Sequence, residues 1–92
     1  MALLEFYGKE CPHCIRMMPM VEKLKAEGHN IEQYEVWHDQ KNAAKMEEFD
    51  RGYCGGVPFF YNSQSHRFIC GGTDEKELRD WVAGTGGTVA KS

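Results

Sequence analysis

The chain has 92 residues, 41% apolar content and a formal net charge of -3, which fits one globular domain with a modest core. Charges of both signs are mixed along the chain, so no basic patch predicts a nucleic-acid partner. No apolar run approaches the roughly 18 residues of a membrane span, and Glu5 and Lys9 come too early for a signal peptide. Unless a signal peptide has been removed, we expect a cytoplasmic monomer without membrane contact.

The first two predicted elements are a buried strand and a long amphipathic helix. Residues 2–7 are apolar on both faces, which is typical of a central strand covered on both sides. A helix follows over residues 12–27, with Pro19 inside it as a kink. Its buried stripe is expected to recur every three residues, at Ile15, Met18, Val21 and Leu24, and to be widened by Met17 and Met20. Gly28 ends the helix in a left-handed conformation.

The remaining elements alternate with turn signals. The pattern predicts strands at 31–37, 57–61 and 66–70, a turn at 62–65, and helices at 41–49 and 74–83. Asp39 or Asn42 caps the second helix, and Asp74 with Glu77 forms a capping box for the third. The order βαβαββα predicts an α/β fold with a four-stranded mixed sheet flanked by three helices. We assign residues 1–84 to this domain and residues 85–92 to a flexible tail.

Cys11-Pro12-His13-Cys14 is the motif that carries chemistry. It lies between the first strand and the first helix, so both thiols fall within one helical turn. The helix N-terminus directs unpaired N–H groups at Cys11 and favours its thiolate, while Pro12 needs no backbone donor there. A CxxC motif in this context predicts redox chemistry.

Cys54 and Cys70 admit a different interpretation. A zinc site needs a second CxxC or a histidine pair at ligand spacing, and the chain has neither. Free cysteines are often buried as small apolar residues, and that is our expectation for both. The alternative is a second or regulatory disulfide.

The element order and three local motifs resemble the thioredoxin-like superfamily over about residues 2–83. The motifs are the CxxC itself, Pro19 in the following helix, and Gly56-Val57-Pro58 at the third strand. The resemblance implies a thioredoxin-like fold in which Pro58 is preceded by a cis peptide bond and faces the cysteines. Within the superfamily, the length of the chain and Cys70-Gly71-Gly72-Thr73-Asp74 resemble glutaredoxins, whereas Pro19 and the residues before Val57 resemble thioredoxins.

The resemblance implies a role for each part of the motif. Cys11 is expected to be the nucleophile and the more exposed thiol, and Cys14 to resolve the mixed disulfide. His13 is expected to stabilise the thiolate and to raise the reduction potential into the upper half of the range from roughly -270 to roughly -120 mV.

The substrate contacts come from three further segments. Val57 and Pro58 are expected to bind an extended substrate by strand addition. Glutathione contacts are assigned to Lys9, Gly72, Thr73 and Asp74, and an apolar lip to Tyr7, Tyr53 and Phe59.

These assignments lead to one function and one alternative. We expect a thiol–disulfide oxidoreductase that uses glutathione as co-substrate and binds no cofactor tightly. Its partners are disulfide-containing proteins or glutathione mixed disulfides, with glutathione or a reductase as electron donor. The alternative is a cysteine-ligated metal or iron–sulfur module.

Overall fold

A computed structural model describes residues 2–90, which form one mixed sheet and three helices. The strands are β1 (Leu3–Tyr7), β2 (Ile31–Glu35), β3 (Phe59–Asn62), β4 (Arg67–Cys70) and β5 (Thr88–Val89), and the helices are α1 (Pro12–Ala26), α2 (Gln40–Asp50) and α3 (Glu75–Ala83). Within the sheet the order is β2-β1-β3-β4-β5. Strands β1 and β2 are parallel and the other pairs are antiparallel.

The prediction of an α/β chain with three helices is confirmed, but the expected strand count of four is wrong. The fifth strand, β5, lies in the segment that we assigned to the tail and pairs with β4 through Arg67↔Val89 and Phe68↔Thr88. Only two residues form it, and a strand that short gives no alternating pattern to detect in a sequence. The last two residues of the predicted tail, Lys91 and Ser92, lie outside the described part of the chain.

Strand β1 is central, as its two apolar faces predicted. On one face Leu4 and Phe6 pack with Phe59 of β3 and Met46 of α2. On the other face a second core joins α1 and α3 to the sheet, and its buried members are Met17, Val21, Leu24, Ile31, Phe60, Ile69, Leu78 and Trp81. Both faces of β1 are therefore covered. The C-terminal end of this buried strand leads directly into the cysteine motif.

In the predicted stripe on α1, Met17, Val21 and Leu24 are buried as expected, but the burial expected for Ile15 and Met18 is wrong. The buried residues are Cys14, Met17, Val21 and Leu24, while Ile15 is 52% exposed and Met18 is also exposed. An α-helix turns by about 100° per residue, so a strict three-residue repeat from Ile15 to Leu24 drifts by about 180°. Alternating steps of three and four residues, which begin at Cys14 and include the other buried positions, stay on one face of the helix. Cys14 lies on that face and therefore points toward the sheet.

The predicted helix caps are largely confirmed. Asp39 caps α2 by accepting the N–H groups of Lys41 and Asn42. Asp74 caps α3 and accepts the N–H of Glu77 at 2.8 Å. The reciprocal half of the expected capping box does not form, because the Glu77 carboxylate accepts the Thr73 hydroxyl instead.

No helix within residues 2–90 is long and apolar enough to cross a membrane.

Candidate functional site

Cys11 is the N-cap residue of α1, and Pro12 begins the helix. The Cys11 sulfur accepts the N–H of Cys14 at 3.2 Å, in the position that an Asp or Ser side chain takes in an ordinary cap. The Cys11 N–H donates to the Gly8 carbonyl at 3.0 Å, which fixes the loop from β1. The helix terminus therefore holds this sulfur by a hydrogen bond that a thiolate accepts better than a thiol.

Both thiols of the motif are free and both are buried. Cys11 is 3% exposed, only marginally more than Cys14 at 1%. Cys11 is thus the more exposed thiol of the two, as expected, but the difference is small and both sulfurs lie in the interior. The Val57 carbonyl oxygen, 3.8 Å from the Cys11 sulfur, shows that the segment before β3 lies against this thiol. Cys11 therefore lies at the junction of the α1 start and the segment before β3.

The Cys14 thiol is held in its protonated form. Burial is the largest effect that raises its pKa, to about 12, and the hydrogen bond and charge of Cys11 act in the same direction. The negative charge of Glu5 also raises the pKa of Cys14. A thiol of this kind needs a proton acceptor before it can attack as a thiolate.

Glu5 is a candidate site residue that the sequence analysis did not single out. It lies in the middle of β1, on the sheet face opposite Leu4 and Phe6, and is 1% exposed. Burial raises its pKa to about 7, although the Gln33 side chain donates a hydrogen bond to it at 2.9 Å. A signal was available, because a charged residue in a strand predicted to be covered on both faces must be buried.

The start of α1, with Cys11 and Cys14, is the first wall of the site, and the segment Val57–Pro58 forms the second wall. The Val57–Pro58 peptide bond is cis, as the family resemblance implied. Val57 is half-buried and places its carbonyl near Cys11, whereas Pro58 is buried and its carbonyl accepts the Gly71 N–H at 2.7 Å. This last bond connects the second wall to the Gly71–Asp74 segment.

The Gly71–Asp74 segment forms the third wall, and the structure brings Gly72 to the motif. A Cβ atom at Gly72 would lie 2.6 Å from Nη2 of Arg16 and 3.9 Å from the Cβ of His13. The Arg16 guanidinium therefore rests on Gly72, beside the exposed His13. Arg16 is a second residue that the sequence analysis did not single out.

The polar groups of Thr73 and Asp74 contact other residues of the protein. The Thr73 N–H faces the sulfur of Met17 at 3.4 Å, its hydroxyl bonds Glu77, and the Asp74 carboxylate caps α3. Lys9 is exposed, and its N–H donates to the Glu35 carboxylate at 2.9 Å.

The predicted apolar lip does not form as a unit. Phe59 is fully buried in the core, and Tyr53 packs on Phe68 with ring centroids 5.1 Å apart. Tyr7 is half-buried at the end of β1. Exposed apolar surface near the motif comes instead from Ile15 and from Trp37, whose indole lies directly over Gly8.

A charged pair borders the motif on the same side. Nε2 of His38 lies 2.7 Å from the carboxylate of Glu10, the residue before Cys11. This contact raises the pKa of His38. The structure thus places His38 in contact with the loop that leads to Cys11.

Cys54 and Cys70 form a disulfide, so the expectation of two buried free thiols is wrong and the alternative of a second disulfide is confirmed. Cys70 is exposed and Cys54 is half-buried. The register of β3 and β4 places Cys70 opposite Phe59, at the sheet end where the loop after α2 returns. Their Cα atoms are thereby 5.4 Å apart, within disulfide range, although 16 positions separate them in sequence.

Within residues 2–90, no three His, Cys, Asp or Glu side chains are grouped so that they could hold a metal ion. A cluster held by Cys11 and Cys14 would therefore need ligands from a second copy or from another molecule.

Comparison with known protein families finds no matching family model, and comparison with curated proteins finds no significant match.

Proposed function

We propose that this protein is a dithiol–disulfide oxidoreductase with a thioredoxin-like fold, closest to glutaredoxins and small thioredoxin-like enzymes. The observation that carries the proposal is the Cys11 sulfur at the N-terminus of α1, 3.2 Å from the N–H of Cys14. A helix N-terminus is a general setting for reactive cysteines, and here a second thiol follows three residues later, within the first turn of α1.

Catalysis proceeds by two exchange steps. The Cys11 thiolate attacks one sulfur of a substrate disulfide, and a bond from Cys11 to that sulfur forms while the substrate disulfide breaks. The departing substrate thiolate takes a proton from solvent. The Cys14 thiolate then attacks the Cys11 sulfur and releases the second substrate thiolate, which leaves a Cys11–Cys14 disulfide and a reduced substrate.

Glu5 supplies the proton acceptor for the second step. Cys14, with a pKa of about 12, keeps its proton at neutral pH, whereas Glu5 has a pKa of about 7 and is half ionised there. Glu5 lies on the sheet face covered by α1, and its charge acts on Cys14. We assign to Glu5 the removal of the Cys14 proton, because a buried carboxylate near pH 7 suits that task.

The charge around the site supports glutathione as co-substrate. Glutathione carries two carboxylates, the Arg16 guanidinium lies beside His13 at Gly72, and the exposed Lys9 lies two residues before Cys11 in the sequence. Arg16 has no ion pair among the described residues, although Lys23, further along the same helix, is paired with Glu75. His13, Val57 and Gly72 surround the approach to Cys11.

The proposal is tested by turnover of a glutathione mixed disulfide, coupled to glutathione and glutathione reductase. We expect turnover by the wild type, none by Cys11→Ser, and accumulation of a Cys11–glutathione adduct in Cys14→Ser. Cys11→Ser keeps a capping oxygen at the helix start, so its fold serves as a matched control. Undiminished turnover by Cys11→Ser would refute the assignment of the nucleophile. Turnover with thioredoxin reductase alone would refute glutathione as the co-substrate.

The role of Arg16 is tested by two substrates that differ in charge. In Arg16→Gln we expect KM for the glutathione mixed disulfide to rise about tenfold, the effect of losing one hydrogen bond to a charged group. KM for an uncharged dialkyl disulfide stays unchanged. Lys41→Gln, an exposed cation at the start of α2, is the control. Equal effects of Arg16→Gln on both substrates would contradict a carboxylate contact.

A further inference from the structure

The Cys54–Cys70 disulfide lies at the same end of the sheet as the cysteine motif but belongs to neither step described above. Cys70 ends β4 opposite Phe59, which in turn pairs with Phe6 of β1. Cys54 lies in the loop that leads to Val57, and its sulfur is 3.3 Å from the Gly56 carbonyl oxygen. The disulfide therefore connects the segments that form the second and third walls of the site.

The two cysteine residues differ in exposure. Cys70 is exposed, whereas Cys54 is half-buried. A glycine follows each cysteine, and a Cβ placed on Gly55, Gly56 or Gly71 would meet no heavy atom within 4 Å. A small molecule can approach the disulfide from solvent across these residues, with Cys70 as the nearer sulfur.

The fold around the disulfide is held by other bonds. The buried Asp50 carboxylate accepts the N–H groups of Cys54 and Gly55 at 2.6 and 2.8 Å, which holds the loop. The Gly71 N–H donates to the Pro58 carbonyl at 2.7 Å, which holds the end of β4. Both segments therefore have anchors that remain when the disulfide opens, and the two thiols stay close enough to re-form it.

From this arrangement we propose that Cys54–Cys70 is a second thiol–disulfide exchange site, which reacts with low-molecular-weight thiols such as glutathione and is entered at Cys70. A glutathione thiolate attacks the Cys70 sulfur; the new bond joins glutathione to Cys70, the Cys70–Cys54 bond breaks, and Cys54 leaves as a thiolate. Cys54 takes a proton from solvent, and its S–H then has the Gly56 carbonyl as an acceptor. A second glutathione thiolate attacks the glutathione sulfur, which releases oxidised glutathione and a Cys70 thiolate. The disulfide gains two electrons and two glutathiones lose them.

The experiment uses the full chain carrying Cys11→Ser and Cys14→Ala, so that the first site cannot take part. This protein, with Cys54–Cys70 oxidised, is incubated with millimolar reduced glutathione under native conditions, quenched with acid, alkylated and analysed by mass. We expect the disulfide to open while circular dichroism remains that of the folded protein, with the transient glutathione adduct on Cys70. Because the motif is absent, this result is independent of whether Cys11 is a catalytic nucleophile.

Two matched variants test where exchange begins. In the same background, Cys54→Ser leaves Cys70 as the single thiol, and Cys70→Ser leaves Cys54. We expect oxidised glutathione to modify Cys70 at least about tenfold faster than Cys54, because access controls the rate of exchange. A disulfide that opens only when the chain is unfolded, or equal rates for the two single thiols, would overturn the proposal in favour of a purely structural cross-link.

Discussion

The buried carboxylate of Glu5 makes folding stability depend on pH in a way that one substitution can isolate. Burial raises the pKa of Glu5 from 4.5 to about 7, so the folded protein binds a proton there that the unfolded chain has lost. Each pH unit between these values is worth about 1.4 kcal/mol, so the folded state loses about 3 kcal/mol of stability relative to the unfolded state as pH rises through this range. Below about pH 4.5 the protein has the full stability that protonated Glu5 allows, and above about pH 7 the whole of this loss has occurred.

Glu5→Gln removes the titration and keeps an acceptor for the Gln33 amide. We expect the variant to match the wild type in urea unfolding near pH 4 and to exceed its stability by up to about 3 kcal/mol near pH 8.5. Glu48→Gln, an exposed position on α2, is the control and should change stability equally at every pH. A difference between wild type and Glu5→Gln that does not vary with pH would refute the argument that Glu5 is buried and titrates near neutrality.

The same variant separates two effects of Glu5 on the thiols. As proton acceptor, Glu5 speeds the attack of Cys14 on Cys11, so Glu5→Gln should slow formation of the Cys11–Cys14 disulfide in a stopped-flow measurement. As a fixed negative charge alone, Glu5 raises the pKa of Cys14, and its removal would speed that step. Faster disulfide formation in Glu5→Gln would therefore contradict the assigned role.

Three further predictions rest on local geometry. In Gly72→Ala the new methyl group displaces the flexible end of Arg16, so KM for a glutathione mixed disulfide should rise while stability changes by less than about 0.5 kcal/mol; an unchanged KM would contradict the contact. Gly8→Ala places a methyl group 2.3 Å from the Trp37 ring, so we expect a loss of about 1–3 kcal/mol in urea unfolding and altered Trp37 fluorescence; wild-type behaviour in both would disprove the packing. Asp74→Ala removes the cap of α3 and should cost about 1 kcal/mol, measured by thermal unfolding; an undiminished melting temperature would argue against the cap.

Local rules were sufficient for the features that depend on neighbouring residues. The helices, their caps at Asp39 and Asp74, and the parallel pairing of β1 with β2 follow from periodicity, capping chemistry and the right-handed crossover. The position of Cys11 at the start of α1 follows from Pro12 and from the end of the buried strand. These features were predicted because each is decided within one or two turns of chain.

The features decided by packing were missed or, for the Cys54–Cys70 disulfide, predicted only as an alternative. Which face of α1 is buried depends on how Cys14 meets the sheet, and a sequence with apolar residues at both Ile15 and Met17 leaves two phases open. Three other features depend on contacts between segments that are distant in sequence. They are the burial of Glu5, the contact of Arg16 with Gly72 and the Cys54–Cys70 disulfide. The sequence by itself determined the order of elements and the place of the two thiols at a helix start. Only the tertiary structure decided which groups surround the two thiols. Strand register and the paths of the loops place those side chains, and neither produces a periodic pattern in the sequence.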